Sequence, residues 1–103
     1  MRHPGYIYLM RVDQPDSEGY YPCKIGKSKH VPTRQRQIGI LMPYEVELVH
    51  YVAVNDMPEA EAFLHRVYEP YRMRGEWFRF PQEGIDQFCQ LHRHAVYNVT
   101  TAL

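Results

Sequence analysis

The stretch "GYIYLMR", residues 5–11, places Tyr6 and Tyr8 two residues apart, on one face of an extended chain because strand side chains alternate sides. The run 6–12 is rich in aromatic and branched residues and reads as a strand. The Asp, Pro, Ser and Gly of "DQPDSEGYYP", residues 13–22, make a loop. "CKIG", residues 23–26, is a short second strand stopping at Gly26, so the two strands form a broad hairpin. A tyrosine pair at this spacing is either sheet packing or a phenol held ready for chemistry.

Working outward, residues 33–38 read as a helix of about two turns, with Pro32 near its first turn and Gly39 beyond its end. "EVELVHYVAV", residues 45–54, is the strongest strand signal, and apolar residues on both faces predict a central or well-covered strand. Asp56 and Glu59 are spaced as a capping box for a helix whose stripe is Ala60, Phe63, Leu64, Val67 and Tyr71. Pro70 stops or kinks it. "RGEWFRFP", residues 74–81, reads as a turn with a short extended piece, and Ile85, Phe88, Cys89 and Leu91 mark a final amphipathic helix. The expectation is one α/β domain of the α+β type over residues 1–103, with a small, mainly antiparallel three-stranded sheet flanked by helices.

A chain of 103 residues supports one core, burying roughly 65% of its extended surface. Apolar residues at 45% and charged ones at 23% favour neither disorder nor membrane insertion. Twelve Lys and Arg balance twelve Asp and Glu, so an anionic partner must be held by a local patch. Lys24, Lys27, Lys29, Arg34 and Arg36 supply one, since residues 22–44 contain no Asp or Glu. Cys23 and Cys89 have neither a metal-site spacing nor a disulfide framework. With no apolar signal segment and no transmembrane run, a cytoplasmic setting without membrane contact is expected, and the Asn98 sequon reads as chance.

Several side chains have two readings. The lysines around Gly26 are a solvated surface or an anion site, and "GKSKH" lacks the long glycine-rich run of a phosphate-binding loop. Glu76, in "RGEWF", either pairs with Arg74 or Arg79 or offers oxygen to a hard divalent cation. His65, at the edge of the helix stripe, suits acid-base chemistry, a substrate contact or a packing hydrogen bond. His92 and His94, two apart on a helix, point different ways.

Taken in order, "YIY" at 6–8, "KIG" at 24–26, Arg34, "LH" at 64–65 and "GEWF" at 75–78 resemble the GIY-YIG nuclease superfamily. The likeness spans about residues 5–92 and is nearest the branch of phage T5orf172-like and meiotically up-regulated gene 113-like domains. It implies phosphodiester cleavage with Mg2+ or Mn2+. Tyr8, Gly26 and Arg34 match the motif tyrosine, glycine and arginine, Glu76 the metal carboxylate, and His65 a histidine recurrent in the branch. Lys24 replaces the second motif tyrosine, and no asparagine near the last helix matches a secondary polar residue, Gln87 and Gln90 being poorly aligned substitutes.

The resemblance thus implies a catalytic set of Tyr8, Lys24, Arg34, His65 and Glu76, with Glu76 as metal ligand. Tyr6, Gly26, Lys27, Lys29 and Arg36 are the expected substrate contacts. The expected activity is metal-dependent endonucleolytic hydrolysis, with DNA favoured over RNA. The alternative is a non-catalytic nucleic-acid-binding module or a subunit of a larger assembly, with a protein partner or second copy left open.

Overall fold

The computed structural model describes residues 2–93; His94 and the Asn98 sequon lie outside the described residues. The strands are β1 (Gly5–Val12), β2 (Tyr20–Ser28), β3 (Val46–Val54), β4 (Arg72–Arg74) and β5 (Trp77–Pro81). The helices are α1 (Val31–Ile40), α2 (Met57–Val67) and α3 (Gln82–Leu91), with a 3-10 turn at Glu69–Tyr71. The strands form one antiparallel sheet in the order β3-β1-β2-β5-β4.

The sheet therefore has five strands, which corrects the expected three. The turn of "RGEWFRFP" lies at Gly75, whose φ of 57° is open to a residue without Cβ, and its short extended piece is a full strand, β5, which forms a hairpin with β4 and also pairs with β2. The hairpin's strand character is masked by Arg72, exposed Arg74 and Arg79; the guanidinium groups of Arg72 and Arg79 lie over Phe78 and Tyr20 while donating to acids or a carbonyl. Arg79, for example, donates to Asp16 at 2.6 Å and stacks on Tyr20 at 4.0 Å, clipping the β1–β2 loop to β5.

Helices cover both faces of β1, so Ile7, Tyr8, Leu9 and Met10 are buried in succession. Ile7 and Leu9 join Ile25, Leu64, Phe78, Phe80 and Phe88 under α2 and α3, whereas Tyr8, Met10 and Val12 join Val31 and Ile38 of α1. β3, expected to be central or well covered, lies at the sheet edge. Its apolar residues reach both layers because the β1–β3 register slips between Leu9 and Met10: Leu48 faces Met10, but His50 faces Leu9. Such a bulge exchanges the faces of a strand, sending Val46 and Val52 into different cores although both numbers are even.

Three helix ends also differ from expectation. Asp56 precedes α2 without a side-chain cap bond; Pro58, at the second helical position, has no N–H to offer it, and the Met57 N–H is taken by the His3 carbonyl at 2.8 Å. At the other end, α2 stops at Val67, so Tyr71 falls in the 3-10 turn rather than on the helix stripe, and both residues are 46% exposed. In α1, Gly39 lies inside the last turn rather than beyond it. A Cβ at Gly39 meets nothing within 4 Å, so Gly39→Ala is expected to raise stability by about 0.5–1 kcal/mol in urea unfolding. A loss of that size would place the helix end before Gly39.

Candidate active site

The site begins where the sheet is incomplete. β1 pairs with β2 as far as Ser28, but β5 pairs with it only from Tyr20 to Lys24. Past Lys24, the outer edge of β2 is finished by other groups: the Ile25 N–H donates to the Glu76 carbonyl at 3.1 Å, and His65 Nε2 donates to the Ile25 carbonyl at 2.9 Å. At this notch opens a cleft of about 190 Å³ lined by Tyr8, Lys24, Lys27, Arg34, Glu61 and Glu76.

Tyr8 reaches the cleft from β1 by crossing the ladder over its register partner, Gly26. A Cβ built on Gly26 would lie 2.3 Å from Tyr8 Oη and 2.5 Å from Cζ, so the glycine is the seat of the phenol. Burial, followed by the charge of Glu76, raises the Tyr8 pKa well above that of an ordinary phenol; Arg34 opposes the shift and Glu61 adds to it. Tyr8 is thus protonated through neutral pH.

The two carboxylates are each tied to a lysine. Lys24 Nζ lies 2.7 Å from Glu76 Oε1, and Lys27 Nζ lies 2.8 Å from Glu61 Oε1. The Glu61 side chain is only 12% exposed, and its second oxygen is buried without a hydrogen-bond partner. Exposed Arg34, from α1, makes no ion pair among the described residues. Lys24, Lys27 and Arg34 against Glu61 and Glu76 leave one net positive charge in the cleft.

Of the residues singled out from sequence, Tyr8, Lys24, Lys27, Arg34 and Glu76 meet here. His65 is held away from the lining by its bond to Ile25, its ring tilted on Phe78 at a centroid distance of 5.1 Å. Tyr6 and Lys29 line an adjoining groove. Arg36 lies on another surface beside Gly39 and Met42, and Gln87 lines a hollow with Tyr68 and Phe80. Glu61 was not singled out. It stands one helical turn before His65, a spacing that puts both on one face of α2, and that spacing was its available signal.

The family model for the T5orf172 domain matches residues 5–93. The chain belongs to the T5orf172 domain family. No curated protein and no solved structure matches the chain. T5orf172 domains are GIY-YIG-related, which ties this chain to nuclease-related function and, in general terms, to nucleic acid. No described helix is long and apolar enough to cross a membrane.

No group of three or more His, Cys, Asp and Glu residues among the described residues could hold a metal ion. Magnesium needs none, because it binds through one or two carboxylates completed by water and substrate phosphate. In this T5orf172 domain, Glu76 Oε2 has no partner among the described residues, and Glu61 Oε2 is a second uncommitted oxygen in the same cleft. Glu76 thus offers the kind of oxygen donor that such an ion takes.

The Tyr8–Gly26 contact is testable by a double-mutant cycle. Gly26→Ala is expected to cost about 1–3 kcal/mol through overpacking. Combined with Tyr8→Ala, whose ring no longer blocks the Cβ, the total loss should fall short of the sum of the single losses in urea unfolding. Additive losses would show that the glycine does not seat the ring.

Proposed function

We propose that this T5orf172 domain is a divalent-metal-dependent endonuclease that hydrolyses DNA phosphodiester bonds. The observation that carries the reading is the convergence of Tyr8, Arg34 and Glu76, from β1, α1 and the β4–β5 turn, on one cleft with a net positive lining. Glu76 would hold Mg2+ or Mn2+ through the oxygen that Lys24 leaves uncommitted. The bound ion supplies positive charge to the phosphate and the leaving oxygen.

The remaining work falls to the protein's own groups. Arg34 presents a planar fork to two non-bridging phosphate oxygens, which a lysine cannot do. Lys24 fixes the Glu76 carboxylate and neutralises charge beside it. Since Tyr8 holds its proton at neutral pH, it orients the attacking water as a phenol and passes a proton onward as it receives one. Glu61, which lines the same cleft and whose charge acts on Tyr8, is the group to which the proton passes in this reading. His65 is a positioning residue that fixes Ile25 and, next to it, the Gly26 seat.

A non-catalytic nucleic-acid-binding module is the second reading, favoured by the lysine pairing of both carboxylates. Single-turnover cleavage of supercoiled, linear and branched DNA with Mg2+ or Mn2+ separates the two. Tyr8→Phe is expected to keep the fold and most DNA affinity while cleavage slows by roughly 100-fold or more. Glu61→Gln should slow it comparably, and the double variant should fall well short of the product of the two effects, as for residues acting as a unit. Wild-type rates in Tyr8→Phe would sink the phenol chemistry, and absence of cleavage by the wild type on DNA and RNA would establish the binding module.

A second comparison bears on phosphate orientation. Arg34→Lys should impair the single-turnover rate at saturating DNA more than Lys29→Ala under matched salt. Equal losses would point to diffuse basic attraction instead.

A further inference from the structure

Beside the cleft lies a groove of about 380 Å³ whose wall is aromatic and whose rim is basic. Tyr6 and Tyr51 meet edge to face across β1 and β3, with centroids 5.8 Å apart, and Tyr51 is 56% exposed. Lys29 and His30 stand at the rim; Lys29 makes no ion pair among the described residues, and no acid lines the groove.

Groove and cleft are built from the same elements. β1 sends Tyr8 into the cleft and Tyr6 into the groove, two residues apart on one face, a step of about 6.8 Å. Tyr51 is the β3 register partner of Tyr8, and α1 contributes Arg34 to the cleft but Val31 and Pro32 to the groove. A strand whose phosphate lies against Arg34 therefore has a neighbouring nucleotide within reach of Tyr51. An exposed aromatic face with cations at its rim suits a nucleobase and its phosphate. A base inside a duplex has both faces covered by its stacked neighbours and cannot use it.

From this continuity we infer that the Tyr6–Tyr51 groove binds an unpaired nucleotide adjoining the phosphate held in the cleft, so that the domain selects nucleic acid with a single-stranded segment at that point. The inference deepens the nuclease reading and rests on it for the position of the phosphate. Its occupant is a base of the bound strand, stacked on Tyr51 and flanked by Lys29.

Binding in EDTA, where metal-dependent cleavage is silent, tests it by fluorescence anisotropy with a fluorescein-labelled DNA hairpin. The hairpin is blunt, or carries a thymidine tail on its 5′ or 3′ side, or carries a tail of abasic linkers with the same charge. The wild type should prefer a thymidine tail to the blunt and abasic forms. Tyr51→Ala should weaken binding of the thymidine tail by roughly ten-fold, leave the other two nearly unchanged, and abolish the preference, while Tyr51→Phe retains it. Thermal melting of each variant controls for folding, and Tyr51→Leu, which keeps apolar bulk without a ring face, should behave as alanine does.

Equal affinity of the wild type for all forms, or a tail preference that survives Tyr51→Ala, would overturn the inference. Cleavage by the wild type in Mg2+ under either outcome leaves the nuclease reading standing. A Tyr51-dependent tail preference without cleavage upholds the groove and overturns the nuclease reading. No binding to any form overturns the inference, and cleavage in Mg2+ again decides the nuclease reading separately.

Discussion

The contact between the Tyr8 ring and Gly26 governs the arrangement of the cleft. β1 and β2 place the two residues opposite each other, and the ring can lie across the ladder because position 26 carries no Cβ. That seat brings a phenol to the edge of the sheet, at the point where β5 has ended and β2 is no longer covered. The backbone left open there is closed by Glu76 on one side and His65 on the other, both through Ile25. Aromatic packing, strand termination and polar chemistry thus depend on one another within four residues of β2.

The electrostatics follow from the same geometry. A chain with no net charge concentrates three cations and two carboxylates around the phenol, so composition understates what the cleft presents to an anion. The lysine–carboxylate pairs hold both acids in place, while Arg34 stays uncommitted and exposed. Desolvation keeps Tyr8 protonated against the pull of Arg34. A phenol in this state is suited to relaying a proton and unsuited to starting as a phenolate, which gives Glu61, in the same cleft, its interest.

Much of this was legible in the sequence, for identifiable reasons. β1, β3 and the stripe of α2 carry local apolar patterns that mark these elements in the fold, although Val67 and Tyr71 of the stripe are exposed. The β4–β5 hairpin was hidden because arginines occupy strand positions, and the place of β3 at the edge was hidden because a bulge mimics the two-faced pattern of a central strand. Tyr8, Lys24, Arg34 and Glu76 were traceable through ordered motifs. Glu61 and the bond from His65 to Ile25 were not, because both depend on α2 packing across the exposed edge of β2. The partnership of Tyr6 with Tyr51 likewise required the β1–β3 register.

The central claim is that the notch at the end of β5 is a metal-assisted reaction centre, and paramagnetic broadening tests it most directly. Substoichiometric Mn2+ is added to isotopically labelled protein bound to a DNA carrying a non-hydrolysable phosphodiester analogue, and amide and side-chain signals are followed. The account predicts that Glu76, Ile25, Gly26 and the Tyr8 ring broaden first, with Glu61 close behind. Broadening centred instead on the exposed acids Asp13, Asp16 and Glu18, or an unchanged spectrum around β2, would contradict it.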